Sequence, residues 1–309
     1  MRVLVIGGGG FIGSRVVDKL SKSASEIVVM DAKQTAANQH DKKSPRKISG
    51  DTRSFSDVVR AINEFKVERI INLAYMLTSA GEEDPFSAIQ INIAGTCNVF
   101  EAARLYGVER VVFCSSIAAY GPQEYYGDRL VCEDERLMAP SFLYGATKVL
   151  NEFLSSTFET RFRLKIPVLR IGAVYGGARD EKSLTSWTSQ LLRNVVKGKV
   201  ANVPLRRSQM VSFVHLDDVA EQLVGLCCKK NLKYRLYNSG GVTSSVGQFC
   251  AILKKYYPKA DIRFNNRAPL WPYVYRIDGR RIADELKIEI RGLESGIMEQ
   301  INEERASAR

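Results

Sequence analysis

The sequence predicts an α/β protein built on a doubly wound parallel sheet, and three observations carry that prediction. Short β-branched apolar runs alternate with helix-period stretches through the first half of the chain. The runs are too uniformly apolar to leave one face wet. The first of them opens directly onto a cluster of glycines. Strands covered by helices on both faces read as continuous apolar runs, whereas half-exposed strands alternate. A strand–helix–strand order then makes successive strands parallel. Candidate strands are Arg2–Ile6, Glu26–Met30, Arg69–Leu73, Arg110–Ser115 and Pro167–Ile171. Candidate helices between them are Phe11–Leu20, Ser56–Phe65, Phe86–Tyr106 and Ser141–Phe158.

After Gly176 the rhythm changes. Residues 178–210 hold a basic amphipathic helix pattern from Trp187 to Val196. Val211–His215 reads as a short strand, followed by a helix opening at Asp217-Asp218, where acidic residues suit the positive helix N-terminus. Tyr234–Asn238 reads as a further strand and Val246–Tyr257 as a helix. The expected division is a sheet domain over residues 1–177 that also receives about 211–240. Residues 178–210 and 241–309 then form a smaller, sequence-interleaved lid that binds substrate over the carboxyl edge of the sheet.

Composition narrows the function classes. The chain has 309 residues, 45% hydrophobic and 26% charged, which suits a soluble globular protein with a large core. No apolar run approaches the roughly 20 residues that span a bilayer. Met1 leads straight into a strand with no secretory pattern, so a cytoplasmic location is expected. Six cysteines without a C-x-x-C pair read as reduced thiols, and His40 and His215 are too few for a histidine-rich metal site, so no metal is expected. The net charge of +11 serves solubility or draws in an anionic substrate. Its basic residues fall in scattered pairs such as Lys42-Lys43 and Arg206-Arg207 without interleaved aromatics, so no nucleic-acid partner is expected.

Gly7-Gly8-Gly9-Gly10-Phe11-Ile12-Gly13 follows the first strand and opens the first helix. Gly7 permits the tight turn, Gly10 lets backbone approach a phosphate, and Gly13 lets helix pack on strand. The helix N-terminus supplies N–H donors and a positive dipole for a pyrophosphate. Asp31 ends the second strand, 18 residues beyond Gly13, placed to accept hydrogen bonds from a ribose diol. It would repel a 2′-phosphate, so the expected cofactor is NAD rather than NADP, with Lys33 nearby to soften the preference.

Tyr144-Gly145-Ala146-Thr147-Lys148 puts a phenol and an ammonium on one helix face. A free tyrosine titrates near 10, too high for a base at neutral pH, and a neighbouring ammonium favours the phenolate. Such a pair exchanges a proton with an alcohol or carbonyl oxygen while hydride moves to or from a nicotinamide. The lysine is also free to bind the nicotinamide ribose. Ser115 and Ser116 end the fourth candidate strand, where ligands of open α/β sheets bind. A hydroxyl there donates to an oxygen that gathers negative charge.

Together these segments resemble the extended short-chain dehydrogenase/reductases, the NAD-dependent epimerase/dehydratase family, over nearly the full chain. Gly50-Asp51-Thr52 resembles the family's adenine-contacting segment, and Asn72-Leu73-Ala74-Tyr75 resembles the turn that runs along the cofactor. Asn92-Ile93-Ala94-Gly95-Thr96 resembles its N-x-x-G-T helix motif, and Phe213–Ala220 its F-V-H-V-D-D-V-A stretch, which makes His215 structural. The resemblance implies a Rossmann sheet and a catalytic set of Ser116, Tyr144 and Lys148. It implies cofactor contacts by Gly7, Gly10, Phe11, Ile12, Gly13, Asp31, Asp51, Thr52, Leu73, Ala74 and Tyr75, and by Asn92, Ser115, Tyr144, Lys148 and Ile171. It also implies a homodimer, with helices Ile89–Tyr106 and Phe142–Phe158 paired across a two-fold axis.

Two positions depart from members that act on nucleotide-diphosphate sugars. Ala173 stands where they carry asparagine, and Val211-Ser212 stands where an arginine meets the diphosphate. Arg206 and Arg207 are the nearest cationic substitutes. The segment Leu73–Glu82, with Thr78 and Ser79, is similar to relatives that oxidise small hydroxy acids or amino acids. The substrate residues expected are therefore Thr78, Ser79, Ser116, Arg206 and Arg207. The expected activity is hydride transfer at a secondary alcohol or ketone of a small or medium polar substrate, anionic ones included. A nucleotide-diphosphate-sugar epimerase is the alternative, and a non-catalytic cofactor sensor or interaction protein is the reading from another class.

Overall fold

The structure, a computed structural model, describes residues 1–32, 44–135, 138–177 and 185–307. Lys33, His40, Lys42 and Lys43 lie outside the described residues. Seven parallel strands form the central sheet. They are β1 (Arg2–Ile6), β2 (Glu26–Asp31), β3 (Arg46–Ser49), β4 (Arg69–Asn72), β5 (Arg110–Ser116), β6 (Val168–Ile171) and, after three strands of the lid, β10 (Leu236–Asn238). Their spatial order is β10-β6-β5-β4-β1-β2-β3, so the winding reverses between β1 and β4. That reversal opens a crevice at the carboxyl edge, where such sheets bind ligands.

The strand sequences explain the layers. Val3 and Val5 pack into one core with helices α1 (Phe11–Leu20) and α8 (Leu216–Cys228), while Leu4 and Ile6 pack into a second core on the opposite face. The second face is covered by α2 (Phe55–Glu64), α5 (Thr96–Leu105) and α6 (Leu143–Phe162). Both faces bury apolar side chains, which is why no alternation survives in the sequence. Short helices α3 (Thr78–Glu83) and α4 (Pro85–Ile89) precede α5, and a wide π turn over Gln90–Gly95 joins α4 to α5. The long helix expected over Phe86–Tyr106 is thus interrupted at its middle. A π turn leaves a carbonyl without its usual partner, and here Asn92 C=O accepts from Asn151 Nδ2 at 2.7 Å.

The second half departs further from expectation. Strands β7 (Ala173–Tyr175), β9 (Met210–His215) and β11 (Val242–Ser245) form a separate three-stranded sheet, so Val211–His215 does not enter the main one. Strands β8 (Ala201–Val203) and β12 (Ile262–Phe264) pair by themselves. With α7 (Trp187–Val196), α9 (Val246–Tyr256) and α11 (Leu293–Ser307) they surround a third core centred on Trp187, Phe213 and Phe249. Helix α10 (Arg280–Leu286), expected in the lid, instead places Ile282 in the first sheet core.

Candidate active site

Register decides what reaches the carboxyl edge. Ile6 pairs with Asn72, Asn72 with Phe113, and β5 runs on through Cys114 and Ser115 to Ser116, which pairs with Ile171. Gly7, Leu73, Ser116 and Ile171 therefore border one crevice. The Ser116 Oγ accepts from Ala118 N–H at 3.1 Å, a bond that leaves the hydroxyl able to donate its own proton.

Helix α6 brings the other two catalytic candidates to this edge. Its first residue is held by Glu82 of α3, whose Oε1 accepts from Leu143 N–H at 2.7 Å. Within its first two turns, Tyr144 and Lys148 face the same cavity of about 200 Å³, which Ser116 also lines. Lys148 is buried; its Nζ donates to the Cys114 carbonyl at 2.6 Å. It also lies 3.1 Å from the centre of the Tyr75 ring and 5.4 Å from that of Tyr144. A ring face is a favourable seat for a desolvated cation. Burial nevertheless pushes the ammonium down to about 7, with the Cys114 side chain and Glu152 opposing the shift. The Tyr75 phenol is pushed up by burial and stays neutral, donating to Thr147 Oγ1 at 3.0 Å and accepting from Asn151 Nδ2 at 3.0 Å. Its ring meets Tyr144 edge-on at 5.6 Å, so it seats both candidate side chains.

Ser115 also lines the cavity, and its hydroxyl donates to Glu152 Oε1 at 2.5 Å, the first link of a buried chain. Glu152 pairs with Arg170 at 2.6 Å; Arg170 in turn donates to the Tyr120 hydroxyl at 2.6 Å, which donates to Asn238 Oδ1 at 2.8 Å. This chain ties α6 to β5, β6 and β10, and so fixes the helix that carries Tyr144 and Lys148.

The cofactor side fits a dinucleotide. Gly7 has φ +79°, and a Cβ on Gly13 would overlap the Gly7 carbonyl oxygen. The N-cap of α1 is Gly10, which offers no side-chain acceptor, and the first turn holds no acidic residue. That N-terminus therefore suits a pyrophosphate. Asp31 Oδ2 accepts from Gly9 N–H at 2.9 Å, which fixes the carboxylate beside the glycine turn for a ribose diol. Ile12, Leu73, Tyr75 and Ile171 line the cavity, and Ala74 packs against Gly7. Phe11 starts α1 and stands beside Gly177. Thr52 is buried against Gly95, while the Asp51 carboxylate is held by Arg53 at 2.6 Å, which keeps its pKa low. The Asn92 side chain accepts from Met76 N–H at 2.7 Å and donates to Met76 C=O at 3.1 Å, bracing the segment between Tyr75 and Leu77.

On the substrate side the expectations divide. Thr78 and Ser116 line the cavity, whereas Ser79 is exposed on α3 and does not. Arg206 and Arg207 do not line it either. The Arg206 guanidinium is turned to the Ala268 carbonyl, and exposed Arg207 lies 5.9 Å over the Phe264 ring. Other basic lid residues are also engaged elsewhere: Arg280 with Asp278 at 2.6 Å, Arg281 with Asp134 at 2.5 Å. The expected cationic clamp is thus not found among the described residues. Sequence reasoning missed the wall that is there, made by Leu77, Met210, Val211, Trp271, Tyr273 and Val274. Only the Trp271-Pro272-Tyr273 cluster, large aromatics in a segment without periodicity, could have signalled it.

The family model for the NAD dependent epimerase/dehydratase family matches residues 3–240. A UDP-glucuronate 4-epimerase of Thermodesulfobacterium geofontis is 27% identical over 270 residues, covering 83% of this chain and 80% of its own. The crystal structure of Thermus thermophilus UDP-glucose 4-epimerase complexed with NAD superposes with a TM-score of 0.85 at 26% identity, covering 99% of this chain and 100% of that one. An L-threonine dehydrogenase from Phytophthora infestans does so with a TM-score of 0.86 at 25% identity, covering 99% and 100%. With its glycine turn, its Rossmann sheet and this family match, the chain belongs to the NAD-dependent epimerase/dehydratase family of short-chain dehydrogenase/reductases.

Proposed function

We propose that this enzyme is a dehydrogenase that moves hydride between NAD and a secondary alcohol or ketone, with Tyr144 carrying the proton. One observation supports this above the others: Tyr144, Lys148 and Ser116 line a single cavity beside Ile12, Leu73 and Ile171 of the cofactor crevice. When bound, NAD supplies the hydride acceptor. Tyr144 takes the proton of the substrate hydroxyl, and Lys148 stabilises the phenolate while its ammonium holds the nicotinamide ribose. Ser116 donates to the same substrate oxygen as charge develops. Gly7, Gly10, Gly13 and Asp31 hold pyrophosphate and adenosine ribose.

A 4-epimerase that returns the hydride to the same molecule is the second reading, favoured by the likeness to the Thermus and Thermodesulfobacterium epimerases. A panel of alcohols incubated with purified protein and NAD separates the two. Net NADH accumulation supports the dehydrogenase, and product without NADH supports the epimerase.

The six cysteines are free, and no described helix is long and apolar enough to cross a membrane, which supports a cytoplasmic enzyme. Phe86, Leu105, Leu150, Phe153 and Phe162 are exposed on the α4–α6 face, Phe153 by 68%. An exposed apolar patch of this kind suits a homodimer paired through these helices.

A further inference from the structure

We infer that the substrate is an uncharged hydroxylated ring, a free sugar or cyclic polyol, and that Trp271 is the surface on which the ring stacks. The inference rests on reading the cavity as the hydride-transfer site. Three segments contribute most to the half of the cavity away from the glycine turn: Leu77-Thr78 after β4, Met210–Ser212 at the start of β9, and Trp271–Val274 in the strap between β12 and α10; Thr185 also lines the cavity.

The strap is pinned along its length. Trp271 N–H donates to Gln209 Oε1 at 2.8 Å, and Tyr275 and Arg276 N–H both donate to Gln123 Oε1 at 3.0 Å. Both glutamines are buried. The Trp271 ring meets Tyr273 edge-on at 6.1 Å, and Tyr273 packs on Phe142 at 6.1 Å. The Tyr273 hydroxyl is hydrogen-bonded to Thr78, and burial raises its pKa to about 12, so it remains a donor.

Charge and shape then select the ligand class. Among the described lining residues Lys148 is the only charged side chain, and it sits between the Tyr75 and Tyr144 rings at the end given to the nicotinamide ribose, away from Trp271 and Met210. A phosphate or carboxylate entering this half would lose its water to Met210, Val211, Val274 and two aromatic rings, without a charge-assisted donor from the described residues that line it. A neutral ring avoids that cost. Its C–H face lies on indole, and its edge hydroxyls meet Thr78 and Tyr273. The wall is preformed, so little ordering entropy opposes binding.

The test uses NAD-loaded protein, with tryptophan emission and calorimetry as binding readouts and NADH absorbance as a separate one. The probes are D-glucose, D-galactose, myo-inositol, D-glucuronate and UDP-glucose. A neutral ring should bind most tightly and change the emission, and the change should vanish in Trp271→Phe, leaving only Trp187 of the chain's two tryptophans. Trp271→Ala should raise the neutral ring's Kd roughly tenfold or more, with NAD affinity unchanged. Tighter binding of UDP-glucose or D-glucuronate, binding of no neutral ring, or an unchanged Kd in Trp271→Ala would each overturn the inference. A ring that binds on Trp271 without NADH forming would sink the dehydrogenase reading and leave the stacking surface standing.

Discussion

Burial pushes the Lys148 ammonium down to about 7, although the proposed ribose contact and the phenolate of Tyr144 both require it charged. The folded value lies below the ordinary 10.5, so between about pH 7 and 10 the folded chain holds fewer protons than the unfolded one. Stability should rise with pH across that window, and Lys148→Met should flatten the slope. Binding a ribose to the ammonium must reverse the shift. At pH 8.5 NAD binding should take up about one proton, read by calorimetry in buffers of different ionisation enthalpy, and Lys148→Met should take up none. Equal uptake by both proteins would detach Lys148 from the cofactor. Asp31 carries a second prediction at this scale. Its carboxylate is fixed by Gly9 N–H at 2.9 Å beside the glycine turn, so NAD should bind more tightly than NADP, and Asp31→Ala should narrow the gap. Tighter NADP binding by the unmutated protein would remove the ribose assignment.

The turn from β1 into α1 has no space for a side chain at Gly13, because the Gly7 carbonyl oxygen fills it. Gly13→Val should cost roughly 1–3 kcal/mol of stability through overpacking and should also abolish NAD binding. Thermal melts with and without NAD check both effects; a normal NAD-induced shift in the variant would contradict the role given to the turn. Elements of this kind were legible because their pattern and their function coincide. β1, β2, β4, β5 and β6 are continuous apolar runs, and α1 was bounded correctly by Gly10 before it and Ser21 after it. β3 was not legible: Arg46, Lys47 and Ser49 are exposed, and an edge strand with one half-buried residue leaves no apolar signature. The π turn was hidden for another reason. Its cause is tertiary, a carbonyl drawn to Asn151 from α6. The same division holds at the site. Tyr144 and Lys148 could be paired from their spacing and Ser116 singled out by the family resemblance, whereas the bonding of Ser115 to Glu152 and of Arg206 to Ala268 depends on partners that only folding brings near. The Trp271 strap lacks periodicity, so only its clustered aromatics hinted that it faces the cavity.

For the molecule as a whole, the charge of +11 has a structural use at the amino edge of the sheet. Arg69 donates to the Cys227 and Cys228 carbonyls and Arg110 to those of Leu226 and Lys229, so two guanidinium groups cap the negative end of α8. This edge lies opposite the crevice, so these two arginines take no part in substrate selection. Assembly gives the next prediction. Phe153→Asp should convert a dimer to a monomer in light scattering with NAD affinity unchanged, since Phe153 is 68% exposed on the outer face of α6. A monomeric unmutated protein at micromolar concentration would end the dimer proposal. The central claim is that net hydride transfer runs through Tyr144, and the rate of NADH formation by Tyr144→Phe, compared with the unmutated enzyme on the same alcohol, tests it most directly. The variant keeps the ring against Tyr75 and should bind NAD normally, with turnover lowered by roughly 10²–10⁴-fold, the usual worth of a positioned acid–base group. Full turnover by Tyr144→Phe would contradict the account.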